Sequence, residues 1–137
     1  MDTIASTPIA TARGRWARHA YLIFAGLFWL GVVAQAFLAG AGIFMGGGWL
    51  QAHSALGHLL TSPLPLGPLA MLLLSVAGRL PRADRWWCAL LLVLATLQPV
   101  VLYLRGVLPW LSAFHPVIAL VLFALPLFLI VRGRRIL

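Results

Sequence analysis

AYLIFAGLFWLGVVAQAFLAGAGIFMGGGWLQAHSALGHLLTSPLPLGPLAMLLLSVAG, residues 20–78, contains no Asp, Glu, Lys or Arg. A helix of about 20 apolar residues crosses a bilayer, so this stretch holds two crossings and a reversal between them. The reversal falls at Met45-Gly46-Gly47-Gly48, where glycines permit a tight turn. The first crossing, residues 20–44, closes on Ala39-Gly40-Ala41-Gly42, and the second covers residues 49–78. The second contains Pro63, Pro65 and Pro68. Each removes a backbone donor, so a kink or irregular backbone is expected around 62–68, satisfied by neighbouring helices.

Two further apolar segments, 86–104 and 107–131, follow a short loop that carries Asp84. The expected fold is all-α, a polytopic membrane protein built as an antiparallel four-helix transmembrane bundle. Residues 1–18 form a basic cytoplasmic tail and 19–137 the transmembrane domain. Short connections make sequence neighbours spatial neighbours. Segments one and three then face each other across one diagonal, and segments two and four across the other. No internal repeat is convincing.

Composition agrees. The chain has 137 residues, of which 63% are hydrophobic and 9% charged, too little polar surface for a soluble domain. The net charge of +8 invites a nucleic-acid reading, but its distribution argues otherwise. Arg13, Arg15 and Arg18, then Arg79, Arg82 and Arg85, then Arg132, Arg134 and Arg135 lie at three places that four crossings put on one side. That is the positive-inside pattern. It implies a bacterial inner-membrane protein with both termini cytoplasmic, facing anionic lipid and not nucleic acid. Trp16, Trp86 and Trp87 mark the inner boundary, and Trp49, Tyr103 and Trp110 the outer one. Trp29, near mid-membrane, is expected to pack inside the bundle. A signal peptide is not expected, because the first apolar run is too long and three more follow. The single cysteine, Cys88, allows no intrachain disulfide and reads as a small apolar filler.

Ionisable groups inside a membrane are functional candidates by default. His53 and His58 lie in the second segment and His115 in the fourth, whereas His19 belongs with the tail arginines. With Trp49 and Trp110 as interface markers, His53 and His115 lie roughly 6–8 Å deep and His58 roughly 13 Å. Gln35 and Gln98 occupy the same end of segments one and three. Every segment thus brings a polar side chain to the outer half, and the inner half shows nothing comparable. Two histidines on diagonal helices at matched depth can clamp a flat macrocycle, so the layer points to b-type haem. Gly57, one turn below His53, leaves room for a porphyrin edge. His58 points roughly 140° away from His53, as a hydrogen-bonding residue or as the rival partner of His115. Gln35, Gln98 and Ser112 are candidate partners for the second nitrogen of each ligand. Arg105, the one arginine at the outer end, is either a propionate partner or an interfacial residue that reaches water. Pro99 and Pro116 are expected to kink their helices.

The residues Gln35-Ala-Phe37-Leu-Ala39-Gly40, His53 with Gly57, Leu97-Gln98-Pro99-Val100 and His115-Pro116-Val117 resemble a family of small, uncharacterised bacterial four-helix membrane proteins. The likeness covers about 21–131 and implies no activity. More weakly, the chain is similar to one half of haem A synthase, whose second and fourth helices supply paired haem-ligand histidines, the first followed by glycine four residues on. That likeness implies His53 and His115 as ligands. Leu50 and Ser54 stand where the synthase has glutamate and arginine, so the likeness extends to haem binding and not to haem-modifying catalysis. A looser likeness is to four-helix b-type cytochromes.

The expected function is single-electron transfer through a bis-histidine haem in the outer half, linked to a quinol, with a redox partner protein or a second copy as further partners. The bundle is expected to hold no buried carboxylate and no acidic ring, which argues against a cation channel or proton pump. Two alternatives are an accessory subunit whose polar layer docks a partner helix, and a copper site using His53 or His58 with His115. Catalytic residues are not identifiable.

Overall fold

The structure, a computed structural model, describes residues 12–135. They form α1 (Ala12–Met45), α2 (Trp49–Thr61), α3 (Leu66–Ala77), α4 (Arg82–Tyr103), α5 (Pro109–Ser112) and α6 (Phe114–Arg134), with a 3-10 turn at Leu104–Gly106. Four runs are long and apolar enough to cross a membrane: Gly14–Met45, Trp49–Ala77, Arg82–Gly106 and Pro109–Arg134. Helix α1 packs against α2, α3 and α6, and α4 against α2, α3 and α6, while the backbones of α1 and α4 make no close approach. The first and third crossings are therefore diagonal, as are the second and fourth.

Local chemistry sets the breaks. Gly46 and Gly47 turn the chain with φ of 67° and 63°, values that a side chain disfavours. The second crossing is interrupted between Thr61 and Leu66, at the early end of the expected 62–68 stretch. Ser62 is extended, φ −129° and ψ 145°, because a residue before proline is pushed out of the helical region. Pro68 and Pro116 each occupy the third position of their helices, α3 and α6. The amide that proline lacks would have no helical partner there, and the fourth crossing is interrupted at Ala113, within one turn of Pro116, where the expected kink falls. Pro99 lies inside α4, which continues to Tyr103. Helix α1 starts at Ala12, well before residue 20. Ala and Arg are strong helix formers, and Gly14 alone, at a cost of about 1 kcal/mol, does not stop the helix.

The buried core is lopsided. Tyr21, Ala25 and Phe28 of α1, Met71 of α3, Cys88, Leu91 and Ala95 of α4, and Leu122, Leu125 and Leu129 of α6 form one cluster. All lie between mid-bundle and the arginine-rich end. Helix α2 contributes no buried residue. In lipid such a core is held by close van der Waals contact and not by water expulsion. Where α1 and α2 meet, small residues permit the approach: a Cβ on Gly42 would lie 2.5 Å from the Leu50 side chain.

The arginine-rich end also holds polar groups that the sequence did not announce. Asp84 belongs to the first turn of α4 and not to a loop. It is buried, where no buried carboxylate was expected, because Arg132 Nε of α6 donates to its Oδ1 at 2.6 Å and pairs its charge. Buried Ser75 donates to Leu72 O at 2.6 Å, and Arg18 Nε donates to Gly78 O at 3.0 Å. Cys88 is buried as expected of a filler, and its thiol lies 3.8 Å from the Tyr21 hydroxyl. Trp29 stacks on Phe123 with centroids 5.6 Å apart, inside the bundle as expected.

Candidate functional site

The histidine-bearing half is organised by two hairpins that repeat one device. In the first, the Gln35 side-chain amide on α1 donates to His53 O on α2 at 2.9 Å. His53 Nδ1 lies 3.0 Å from Gln35 O. In the second, the Gln98 amide on α4 donates to His115 O on α6 at 3.1 Å, and His115 Nδ1 lies 3.1 Å from Gln98 O. Each glutamine side chain thus holds the histidine backbone, and each histidine ring holds the glutamine backbone.

These bonds fix the chemistry of the rings. A carbonyl oxygen only accepts, so Nδ1 carries the proton in both imidazoles. In the neutral ring Nε2 then presents a lone pair, the usual arrangement in a metal-ligating histidine whose other nitrogen donates to a carbonyl. The same logic orients the amides. Because each Nε2 faces a carbonyl, each Oε1 points elsewhere, and both Gln35 Oε1 and Gln98 Oε1 are buried with no hydrogen-bond partner. The two hairpins therefore each leave one buried acceptor unmet. The donor contact to the His115 lone pair is long, with Gln98 Nε2 3.4 Å from His115 Nε2.

The two rings meet across the diagonal, centroids 6.5 Å apart and planes at 71°. With about 2 Å from a metal to each nitrogen, and the ring centre about 1 Å behind it, two imidazoles sharing one ion would have centroids roughly 6 Å apart. Among the described residues no group of three or more His, Cys, Asp or Glu is placed to hold a metal ion. The protein donors at this centre are the two imidazoles and the amide oxygens.

Other expected members are placed differently. His58 lies on an exposed face of α2 and joins neither ring. Five helical residues carry it too far round the axis, so the His58–His115 pairing does not form. Gly57 does face the site, but the space beside it belongs to Gln35: an added Cβ would lie 3.1 Å from Gln35 Nε2. The missing side chain admits the amide and not a macrocycle edge. Ser112 donates to Val101 O at 2.7 Å and not to a histidine. Arg105 sits exposed on the 3-10 turn. A shallow cleft of ≈ 260 Å³ lies at the opposite end, between α3 and α4.

The equivalence of the hairpins reveals a repeat. Trp49-Leu50-Gln51-Ala52-His53 and Trp110-Leu111-Ser112-Ala113-Phe114-His115 share Trp-Leu-x-Ala before the histidine. The extra residue of the second copy falls at the joint between α5 and α6. The two hairpins thus share a short sequence pattern and the same pair of Gln–His bonds, where no repeat was expected.

Residues 35–104, which hold Gln35, His53 and Gln98, match a family of unknown function, DUF6220. No curated protein and no solved structure matches the chain, so the likeness to haem A synthase and to b-type cytochromes rests on the quoted residues alone.

Proposed function

We propose, from the premise that the chain belongs to the DUF6220 family, that it is a membrane electron-transfer protein carrying one b-type haem between His53 and His115. The arginine-rich end faces the cytoplasm of a bacterial cell, following the positive-inside rule, and the histidine end lies in the outer half of the inner membrane. A quinol in the bilayer and an acceptor protein on the outer side are the corresponding partners.

The observation that carries this reading is the number of protein ligands. Two imidazoles meet at 6.5 Å, and no third His, Cys, Asp or Glu joins them among the described residues. Iron in a porphyrin already has four nitrogen ligands and needs only two more. A bare copper ion would have two imidazoles and at best amide oxygens, a poorer set, which ranks the copper reading below haem. The donor set fits haem in its tautomer as well, because both Nδ1 protons are committed to backbone carbonyls. Haem bound there would supply a one-electron carrier. The chain's own part is to hold the rings at fixed depth, keep Nε2 unprotonated, and exclude lipid with the flanking helices. Loading requires the Gln98 amide to turn away from His115 Nε2. Arg105, exposed at the same end, is the available cation for a propionate.

A second reading has its own observation. The reciprocal Gln–His bonds already tie each hairpin together, so the polar layer also suits an accessory subunit that uses it to set helix register. An absorption spectrum of the detergent-purified protein, oxidised and dithionite-reduced, separates the two. Low-spin haem bands that sharpen on reduction, and that disappear in His53→Ala and in His115→Ala but not in His58→Ala, support the haem reading. A colourless protein from haem-replete cells leaves the accessory reading.

A further inference from the structure

At the arginine-rich end the ≈ 260 Å³ cleft is lined by Leu72 of α3 and by Arg82, Arg85, Trp86 and Ala89 of α4. We propose that this cleft binds the phosphate group of an acidic phospholipid, with one acyl chain lying between α3 and α4.

Three features point there. The first is charge. Arg82 and Arg85 make no ion pair among the described residues, since the nearby carboxylate of Asp84 is turned inward to Arg132. The cleft mouth therefore keeps both positive charges. The second is an unmet donor: Arg85 Nε is buried without a hydrogen-bond partner. A guanidinium N–H withdrawn from water and left unpaired is costly, so the side chain gains by turning outward to an acceptor, and a phosphate oxygen is the one such a fork matches best. The third is depth. At about 1.5 Å per residue, Leu72 lies roughly 8 Å from the end of α3, and Ala89 roughly 10 Å from the start of α4. The cleft is shallow and its accessible lining almost wholly apolar, within reach of hydrocarbon, with Arg82 and Arg85 bordering it. Trp86, exposed at the same level, suits the headgroup region. A free phosphate ion would use the mouth but gain nothing from the floor, so the whole cleft fits a lipid better. The site lies at the opposite end from the histidines and does not depend on what they hold.

The test uses native mass spectrometry of the full chain in neutral detergent, with phosphatidylglycerol, phosphatidylcholine and inorganic phosphate as probes. The double variant R82Q/R85Q is compared with R134Q/R135Q, which loses the same charge from the exposed end of α6, and with Ala89→Leu, which fills the floor and leaves the charge intact. Each arginine near an acidic lipid is worth roughly fivefold in affinity, so phosphatidylglycerol binding should fall by about 25-fold in R82Q/R85Q. It should stay near wild type in R134Q/R135Q and fall again in Ala89→Leu. Phosphatidylcholine should bind more weakly throughout, and millimolar phosphate should not displace phosphatidylglycerol. Equal losses in the two double variants would show diffuse surface charge. Displacement by phosphate would show a free-anion site. An Ala89→Leu protein that binds normally would show that the cleft is not used. Any of these overturns the proposal. Helical circular dichroism monitors folding, and if R82Q/R85Q does not fold, Ala89→Leu decides alone.

Discussion

Replacing Gln35 with leucine removes an interhelical hydrogen bond, yet it should not destabilise the bundle. The amide donates to His53 O at 2.9 Å. Interhelical hydrogen bonds in membranes average about 0.6 kcal/mol and reach about 1.7. Against that loss stands Gln35 Oε1, buried with no partner, and an unmet buried acceptor costs about 1–3 kcal/mol. Leucine is close to glutamine in size and removes both the bond and the orphan. The reciprocal bond from His53 Nδ1 survives, because its acceptor is the Gln35 backbone. The balance runs from a loss of about 0.7 kcal/mol to a gain of about 2.4 kcal/mol, centred on a gain of about 1 kcal/mol. Unfolding of the purified, ligand-free protein by SDS titration in mixed micelles, followed by circular dichroism, measures it. A destabilisation beyond about 2 kcal/mol would refute the reasoning, because the bond alone would then exceed its known range in membranes. It would imply that Oε1 is satisfied in the protein, by water or by a bound ligand.

Two further outcomes follow from the same geometry. Gly57→Ala places a Cβ 3.1 Å from Gln35 Nε2, so the amide is pushed off His53 O at a cost of about 1 kcal/mol. In a double-mutant cycle with Gln35→Leu, that cost should largely vanish, and a cost that persists would place the clash elsewhere. At the other end, Arg132→Ala should be far more damaging than Asp84→Asn. The Asp84 side chain is only 4% exposed while that of Arg132 is 40% exposed. Losing the arginine strands a buried carboxylate, at about 3 kcal/mol. Losing the carboxylate's charge leaves an arginine that reaches water, at about 1 kcal/mol or less. Equal effects in the same unfolding assay would contradict this asymmetry.

Much of the architecture was legible because bilayer thickness is so restrictive. An uncharged stretch from 20 to 78 has few alternatives, and the glycines at 46–48 and the prolines at 63 and 65 mark its interruptions directly. The juxtaposition of His53 and His115 was also readable, since matched depth on diagonal helices leaves little choice. What escaped was whatever depended on local detail. Asp84 reads as a loop residue only if the signal from Pro81 is overlooked: proline ahead of a helix and an acid in its first turn mark a start. Gly57 was assigned space for a cofactor because the sequence does not show that the Gln35 amide reaches across from α1. The repeat was hidden by a single inserted residue, and it emerges only when both glutamines are seen making the same pair of bonds.

The position of the break after Thr61 has a consequence for how this molecule can change. The tightly packed cluster lies on one side of it, and α2, with nothing buried, lies on the other. Helix α2 hangs on the glycine turn, the Gln35–His53 latch and its contacts with α1 and α4. Local opening free energies track burial, so amide exchange should be fast along α2 while α3 and α4 remain protected. The folding of the chain and the arrangement of its histidine end are then largely separate properties. A substitution in the Gln35–His53 latch can rearrange that end without endangering the packed cluster below it.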